Sequence, residues 1–272
     1  LKLQIIKEKV EILDYLKDNI DITYIPTMGN LHKGHVSLLK KGLEIGKPIL
    51  VSIFINPLQF NDASDYKNYP ITLEKDIEIL KESKCDCLYI PDKSILNDIK
   101  EIKASKKSQY LCGHHRPGHF DGVLTILNKF FILLKPSHVI FGLKDFQQYM
   151  LVKEFIKTTN SAIDIIGVET ERDENGLALS SRNGLLSQKD LNKASLIYKT
   201  LLDIKNNSNN LSYDFLNSKK NFLIQEGFEI DYLESCNEKT LQTSYSANNH
   251  SIIVAIAARI GGIRLIDNIR LN

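Results

Sequence analysis

From Ile22 to Ile55 the chain gives an order of signals that few folds accept: apolar run, glycine turn, helical pattern, apolar run. Ile22 to Ile25 leads into Pro26-Thr27-Met28-Gly29-Asn30-Leu31-His32-Lys33-Gly34-His35, and Val36 to Ile45 follows at helical spacing. Pro48 to Ile55, PILVSIFI, is continuous and β-branched, the pattern of a strand covered on both faces of a parallel sheet. The turn is a strand end feeding a helix N-terminus, where unpaired backbone N–H groups and a partial positive charge favour phosphate. His32 and His35 bracket Gly34 there, and imidazole can donate to a phosphoryl oxygen. Gly34 leaves no side chain to hold a phosphate off the backbone. A lone His-x-x-His is more often surface chemistry or helix filler, but its place between strand and helix favours function. Zinc is the weaker reading, since no third ligand sits at a familiar offset.

The same alternation continues downstream. Leu3 to Leu16 predicts a first helix on apolar positions such as Ile6, Val10 and Leu13. Pro48–Ile55 ends at Asn56-Pro57-Leu58-Gln59-Phe60, where proline stops the ladder and the amides of Asn56 and Gln59 suit a polar, uncharged contact. A helix from Thr72 to about Glu82, capped by Thr72, precedes a strand at Cys87 to Ile90. Arg116-Pro117-Gly118-His119-Phe120-Asp121-Gly122-Val123 opens an apolar helix through Leu134, where Arg116 suits either a phosphate or a helix-start ion pair. His138 to Phe141 predicts a strand running into Gly142-Leu143-Lys144-Asp145-Phe146-Gln147-Gln148 and a helix to about Thr158. A lysine at a helix start is electrostatically misplaced unless an anion lies ahead. Ile163 to Val168 is the fifth strand.

Gly176-Leu177-Ala178-Leu179-Ser180-Ser181-Arg182-Asn183 is a second phosphate candidate, two hydroxyls beside a guanidinium fork. Taken alone it also reads as a capped turn before a helix at Ser187. After residue 170 the alternation stops, and helices at Lys189 to Lys205 and Tyr213 to Glu226 precede strands at Glu229 to Glu234 and Ile252 to Ile256. The prediction is an α/β fold, a doubly wound Rossmann-like parallel sheet over residues 1–170 with a smaller α+β lid domain over 171–272.

Composition excludes more than it assigns. A net charge of +2 gives no electrostatic footprint for nucleic acid. No apolar run approaches membrane-spanning length, and Leu1 to Ile12 carries no signal-peptide pattern. Cys85, Cys87, Cys112 and Cys236 lack the spacing of a disulfide framework or zinc site, as expected of free thiols in a reducing cytoplasm.

Four blocks carry a resemblance. Pro-Thr-Met-Gly-x-Leu-His-x-Gly-His, Asn-Pro-x-Gln-Phe, Arg-Pro-x-His-Phe-x-Gly-Val and Phe-Gly-x-Lys-Asp-x-Gln-Gln stand in the order found in the pantothenate synthetase family, within the nucleotidyltransferase superfamily. The resemblance implies condensation of D-pantoate with β-alanine, using ATP and Mg2+, through a pantoyl adenylate. It implies ATP contacts at Met28, Gly29, Asn30, Leu31, His32, Lys33, Gly34 and His35, and at Gly142, Leu143, Lys144 and Asp145. Glu171, Leu179, Ser180, Ser181 and Arg182 complete that set. His32, His35, Lys144, Ser180, Ser181 and Arg182 are the implied catalytic groups, and Gln59 and Gln148 the implied pantoate contacts. A homodimer is implied as well. The chain departs from the family at Lys75, where a second carboxylate often precedes Asp76, at Glu169 and Glu171, where Pro and Val or Ile are usual, and at Leu179, which replaces Met. Two rivals are a related transferase acting on a phosphorylated acceptor and a nucleotide- or RNA-binding module. The uncharged Gln59 and Gln148 disfavour the first, and near-neutral charge the second.

Overall fold

The computed structural model describes residues 2–159, 161–246 and 251–271, which pack as two compact units. The first unit comprises residues 1–105, 116–143 and 148–169. Its sheet holds six parallel strands: β1 (Gln4–Ile6), β2 (Thr23–Thr27), β3 (Ile49–Ile53), β4 (Cys87–Tyr89), β5 (His138–Gly142) and β6 (Asp164–Val168). The spatial order is β1-β4-β3-β2-β5-β6, so the order reverses between β2 and β5. In an open parallel sheet, ligands gather beyond the carboxyl ends of the strands at that reversal.

Alternate residues explain why the strands read as unbroken apolar runs. Tyr24, Leu50 and Val139 join one core with the long helix α6 (His119–Leu134) and with α1 (Lys9–Asp18). Their neighbours Ile25, Val51 and Ile140 join another with α2 (Lys33–Ile45) and α4 (Leu73–Glu82). Both faces are buried, which is the doubly wound arrangement. Short helices α3 (Ala63–Lys67) and α5 (Leu111–His115) lie in connections, and α7 (Phe146–Thr158) follows β5.

The N-terminus corrects the predicted helix over Leu3–Leu16. Gln4–Ile6 is an edge strand paired with β4, and α1 begins only after Glu8 and Glu11 close a capping box. The buried face of α1 is Ile12 with Tyr15 and Leu16, whereas Val10 and Leu13 are exposed. The sheet therefore has six strands, one more than the sequence pattern predicts.

The second unit comprises residues 106–115, 144–147 and 170–272. Helices α8 (Gln188–Ala194), α9 (Leu196–Asn206) and α10 (Tyr213–Gln225) cover an antiparallel sheet of β7 (Glu229–Asn237), β8 (Ile252–Ile260) and β9 (Ile263–Arg270), in the order β7-β8-β9. Leu201, Leu223, Leu233, Val254 and Ile256 sit in its core. The single helix predicted over Lys189–Lys205 is broken at Ser195, a buried residue whose hydroxyl donates to the Asn192 carbonyl.

Candidate active site

At the carboxyl end of β2 the chain must turn sharply, and the left-handed backbone of Gly29 (φ 81°) and Asn30 (φ 52°) supplies the turn. Asp76, reaching across from α4, holds it. Its Oδ2 accepts the Asn30 N–H at 2.9 Å and its Oδ1 the Leu31 N–H at 2.8 Å, while the Thr72 hydroxyl donates to the same Oδ1. Thr72 stands at the predicted cap position but spends its hydroxyl on Asn30 and Asp76 rather than on its own helix. Asp76 is buried.

Six of the backbone N–H groups of this turn, rather than standing open, are held within the protein. The Gly29 N–H goes to Thr27 Oγ1, those of Asn30 and Leu31 to Asp76, and that of His35 to the His32 carbonyl. The remaining two bonds involve the imidazoles. The Gly34 N–H donates to His32 Nδ1 at 3.1 Å, and the His32 N–H donates to His35 Nδ1 at 3.2 Å. This reciprocal cap, built from two histidines, opens α2. An Nδ1 that accepts cannot carry a proton, so each neutral ring holds its proton on Nε2. The rings lie 4.2 Å apart at 55°. Leu31 is a core residue and Lys33 is exposed.

Beyond β3, Gln59 is fixed from both ends of its side-chain amide. Buried Asn56 donates to Gln59 Oε1 at 3.0 Å and to the Gly122 carbonyl at 3.1 Å, and Gln59 Nε2 reaches Met28 Sδ at 3.2 Å. The carbonyl of Gln59 accepts from Arg116 at 3.1 Å and lies 2.7 Å from His119 Nδ1. Arg116 thus supports the Gln59 loop, a role neither sequence reading contains. Gly122 has no freedom to change: a Cβ there would stand 2.1 Å from the Leu58 carbonyl oxygen. Gln148, on α7, is half-buried.

β5 ends at Gly142, and the chain continues through Leu143 into the second unit. There Lys144 is largely buried, its Nζ 4.0 Å from Asp145, and its backbone carbonyl accepts from Asn268 Nδ2 at 2.9 Å. Gln147 is a structural residue, donating to the Lys107 and Tyr110 carbonyls and accepting from the Gly113 N–H. The Ser180-Ser181-Arg182 stretch follows a hairpin in which Arg172 pairs with Ala178, and the Leu179 N–H reaches the Glu171 carbonyl at 2.9 Å. The exposed Glu171 therefore meets this stretch through its backbone. Ser180 Oγ accepts the Arg182 N–H at 3.2 Å, so part of the capped-turn reading is realised too.

Among the described residues, no three His, Cys, Asp or Glu side chains cluster as metal ligands. With both Asp76 oxygens on backbone N–H groups and Lys75 beside it, the residues here do not build a protein cage for Mg2+. The four cysteines are free and buried, with burial pushing Cys85, Cys87 and Cys236 up to about 12. Those three thiols are poor nucleophiles. No described helix is long and apolar enough to cross a membrane.

The family model for pantoate–β-alanine ligases matches residues 3–270. A pantothenate synthetase from a Marinomonas species is 42% identical over 268 residues, covering 96% of this chain and 94% of that protein. One from Clostridium botulinum is 41% identical over 270 residues, with 96% and 95% covered. The crystal structure of pantothenate synthetase from Thermus thermophilus superposes with a TM-score of 0.90 at 31% identity, covering 98% of this chain and 99% of that one. A pantoate–β-alanine ligase from Francisella tularensis, crystallised with β-γ ATP and β-alanine, gives 0.85 at 33% identity, with 99% and 98% covered. Agreement of this extent, in sequence and in fold, places the chain in the pantoate–β-alanine ligase family.

Proposed function

We propose that the chain joins D-pantoate to β-alanine in two steps driven by ATP. The pantoate carboxylate attacks the α-phosphorus, forming the acyl–phosphate bond as the bond to pyrophosphate breaks. The β-alanine amine then attacks the acyl carbon, releasing AMP and pantothenate and giving up a proton. The observation that carries this reading is the double cap of α2, which commits both Nδ1 atoms to the backbone and leaves both rings as Nε2–H donors. Fixed donors aimed at developing phosphoryl charge need no reorganisation during the reaction.

In this reading Lys144, Ser180, Ser181 and Arg182 hold the triphosphate, with further contacts along Met28–His35, Gly142–Asp145, Glu171 and Leu179. Gln59 and Gln148 hold pantoate, Gln59 being presented by Asn56 and Arg116. An amide rather than a cation at this position suits an acceptor without phosphate. Mg2+ would neutralise charge on the phosphates and takes no protein ligand assigned here. The chain beyond residue 170 serves as the lid of the nucleotide domain. The unpaired thiols suit the cytoplasm. The assembly is a homodimer, so light scattering should give twice the 31.0 kDa chain mass, and a monomer mass would overturn that assignment.

Mixing enzyme with ATP, Mg2+ and pantoate, without amine, tests the chemistry. About one equivalent of pyrophosphate per site should appear in a burst and then stall. Adding β-alanine should release AMP and pantothenate together. Appearance of ADP and phosphate would place the attack at the γ-phosphorus and overturn the reading.

A further inference from the structure

The last described strand, β9, touches the Lys144 segment directly and, through Arg172, the hairpin that leads into Ser180, Ser181 and Arg182. Asn268 Nδ2 donates to the Lys144 carbonyl at 2.9 Å. Asp267, its neighbour, takes Arg172 through two bonds of 2.6 and 2.9 Å, and the Asn268 N–H donates to the same carboxylate at 2.8 Å. Arg172 in turn donates to the Gly176 carbonyl at 3.1 Å and lies 3.7 Å over the Tyr198 ring. It thereby closes the hairpin whose next residues are Leu179 to Arg182. Asp267 is 3% exposed, so these are desolvated, charge-assisted bonds of fixed geometry.

We propose that Asn268 and Asp267 are positioning residues for adenylation, setting the Lys144 turn and the Ser180–Arg182 stretch in one frame on β9. The proposal rests on the assignment of Lys144, Ser180, Ser181 and Arg182 to the triphosphate. Two segments assigned to one polyphosphate lie 36 to 38 residues apart in sequence (180 − 144 and 182 − 144), so chain connectivity alone leaves their separation free. Adjacent residues on one strand remove that freedom. An error near 1 Å in such placement is enough to cost roughly 10²-fold in rate.

Asn268 acts through the backbone of Lys144, so removing the lysine amine leaves the Asn268 bond intact but idle. That separates positioning from general stability. Asn268→Ala and the isosteric Asn268→Asp, which lacks the donor, should each raise the ATP KM and lower single-turnover pyrophosphate release by roughly tenfold or more. The pantoate KM should move by less than about twofold. In a Lys144→Ala background, the same Asn268 substitutions should change release by less than about twofold, since the group they position is gone. Full-length proteins with matching circular dichroism and unfolding midpoints are compared throughout. If Asn268→Ala and Asn268→Asp release pyrophosphate at the wild-type rate, the proposal fails. An equal loss from Asn268→Ala with and without Lys144 would overturn it too, because a purely structural role is additive. If Lys144→Ala itself leaves release unchanged, the assignment of Lys144 to the triphosphate fails instead. The two failures are therefore distinguishable.

Discussion

His32 and His35 each give one ring nitrogen to the helix start, and that exchange decides what the other nitrogen can do. A Ser or Asp cap would satisfy the same N–H groups but would present no N–H donor. His35→Ala should fold and should lower the rate of pyrophosphate release by roughly 10²-fold, the loss of one donor to a charged transition state. A folded His35→Ala variant at wild-type rate would remove the ring from the chemistry. Asp76 works at one remove, holding the two N–H groups of Asn30 and Leu31. Each stranded buried donor costs about 1–3 kcal/mol. Asp76→Ala should therefore lose stability in urea unfolding, Asp76→Asn should lose about half as much, and added Mg2+ should not restore either. Stabilisation of wild type alone by Mg2+ in the absence of nucleotide would instead make Asp76 a metal ligand. His32, His35, Gln59 and Lys144 stand out in the sequence as candidates, because polar residues at strand ends and helix starts call for a partner. Asp76 was not legible as a clamp, because its partners lie 45 and 46 residues away and only the fold brings them together.

Among the elements, the strands buried on both faces announced themselves by composition, and β1 did not. Three residues at a sheet edge carry too little pattern, and Leu3, Ile6, Val10 and Leu13 imitate a helical stripe. The join between α6 and the Gln59 loop was equally hidden, since a glycine inside a helix reads as a mild defect. Alanine for glycine in a helix ordinarily gains about 1 kcal/mol. At Gly122 the added Cβ would lie 2.1 Å from a backbone oxygen, and overpacking of that kind costs typically 1–3 kcal/mol or more. The clash wins, because a carbonyl held in a turn cannot rotate away as a side chain can. Gly122→Ala should be less stable than wild type and should raise the pantoate KM, and a stabilised variant would refute the packing argument. In the second unit, burial raises the Asp267 pKa while Arg172 opposes it. Arg172→Met should cost about 3–5 kcal/mol at neutral pH by leaving that carboxylate unpaired. With the guanidinium gone, the folded-state pKa rises further above the unfolded value of about 4. The folded state then binds more protons, so stability falls as pH rises between those two values and recovers on acidification. A deficit that stays constant from neutral pH down to about 4 would show that the carboxylate is not what the substitution strands.

The division of the whole chain is less simple than one boundary near residue 170. Residues 106–115 and 144–147 are threaded through the first unit in sequence but pack with the second. Their ties are specific. Cys112 Sγ lies 3.0 Å from the Tyr232 hydroxyl, and both terminal nitrogens of Arg264 approach the same sulfur at 3.6 and 3.7 Å. Arg264 is held in turn by Asp231 at 2.7 Å, and Asn268 donates to the Lys144 carbonyl. Sequence periodicity cannot show this, because short segments of ten and four residues carry no period of their own. A fragment of residues 171–272 would lack both segments, leaving the nearly fully buried Tyr232 hydroxyl and the Arg264 guanidinium without their sulfur partner. Losing those bonds and uncovering the Tyr232 ring that His115 packs against costs several kcal/mol, a large share of the stability of a small domain. The expectation is that 171–272 alone shows no cooperative thermal transition. Coexpression with residues 1–170 should restore the transition, since the two pieces together contain every segment. Cooperative unfolding of 171–272 by itself, with dispersed amide signals in its NMR spectrum, would show that the threaded segments are dispensable to the second unit.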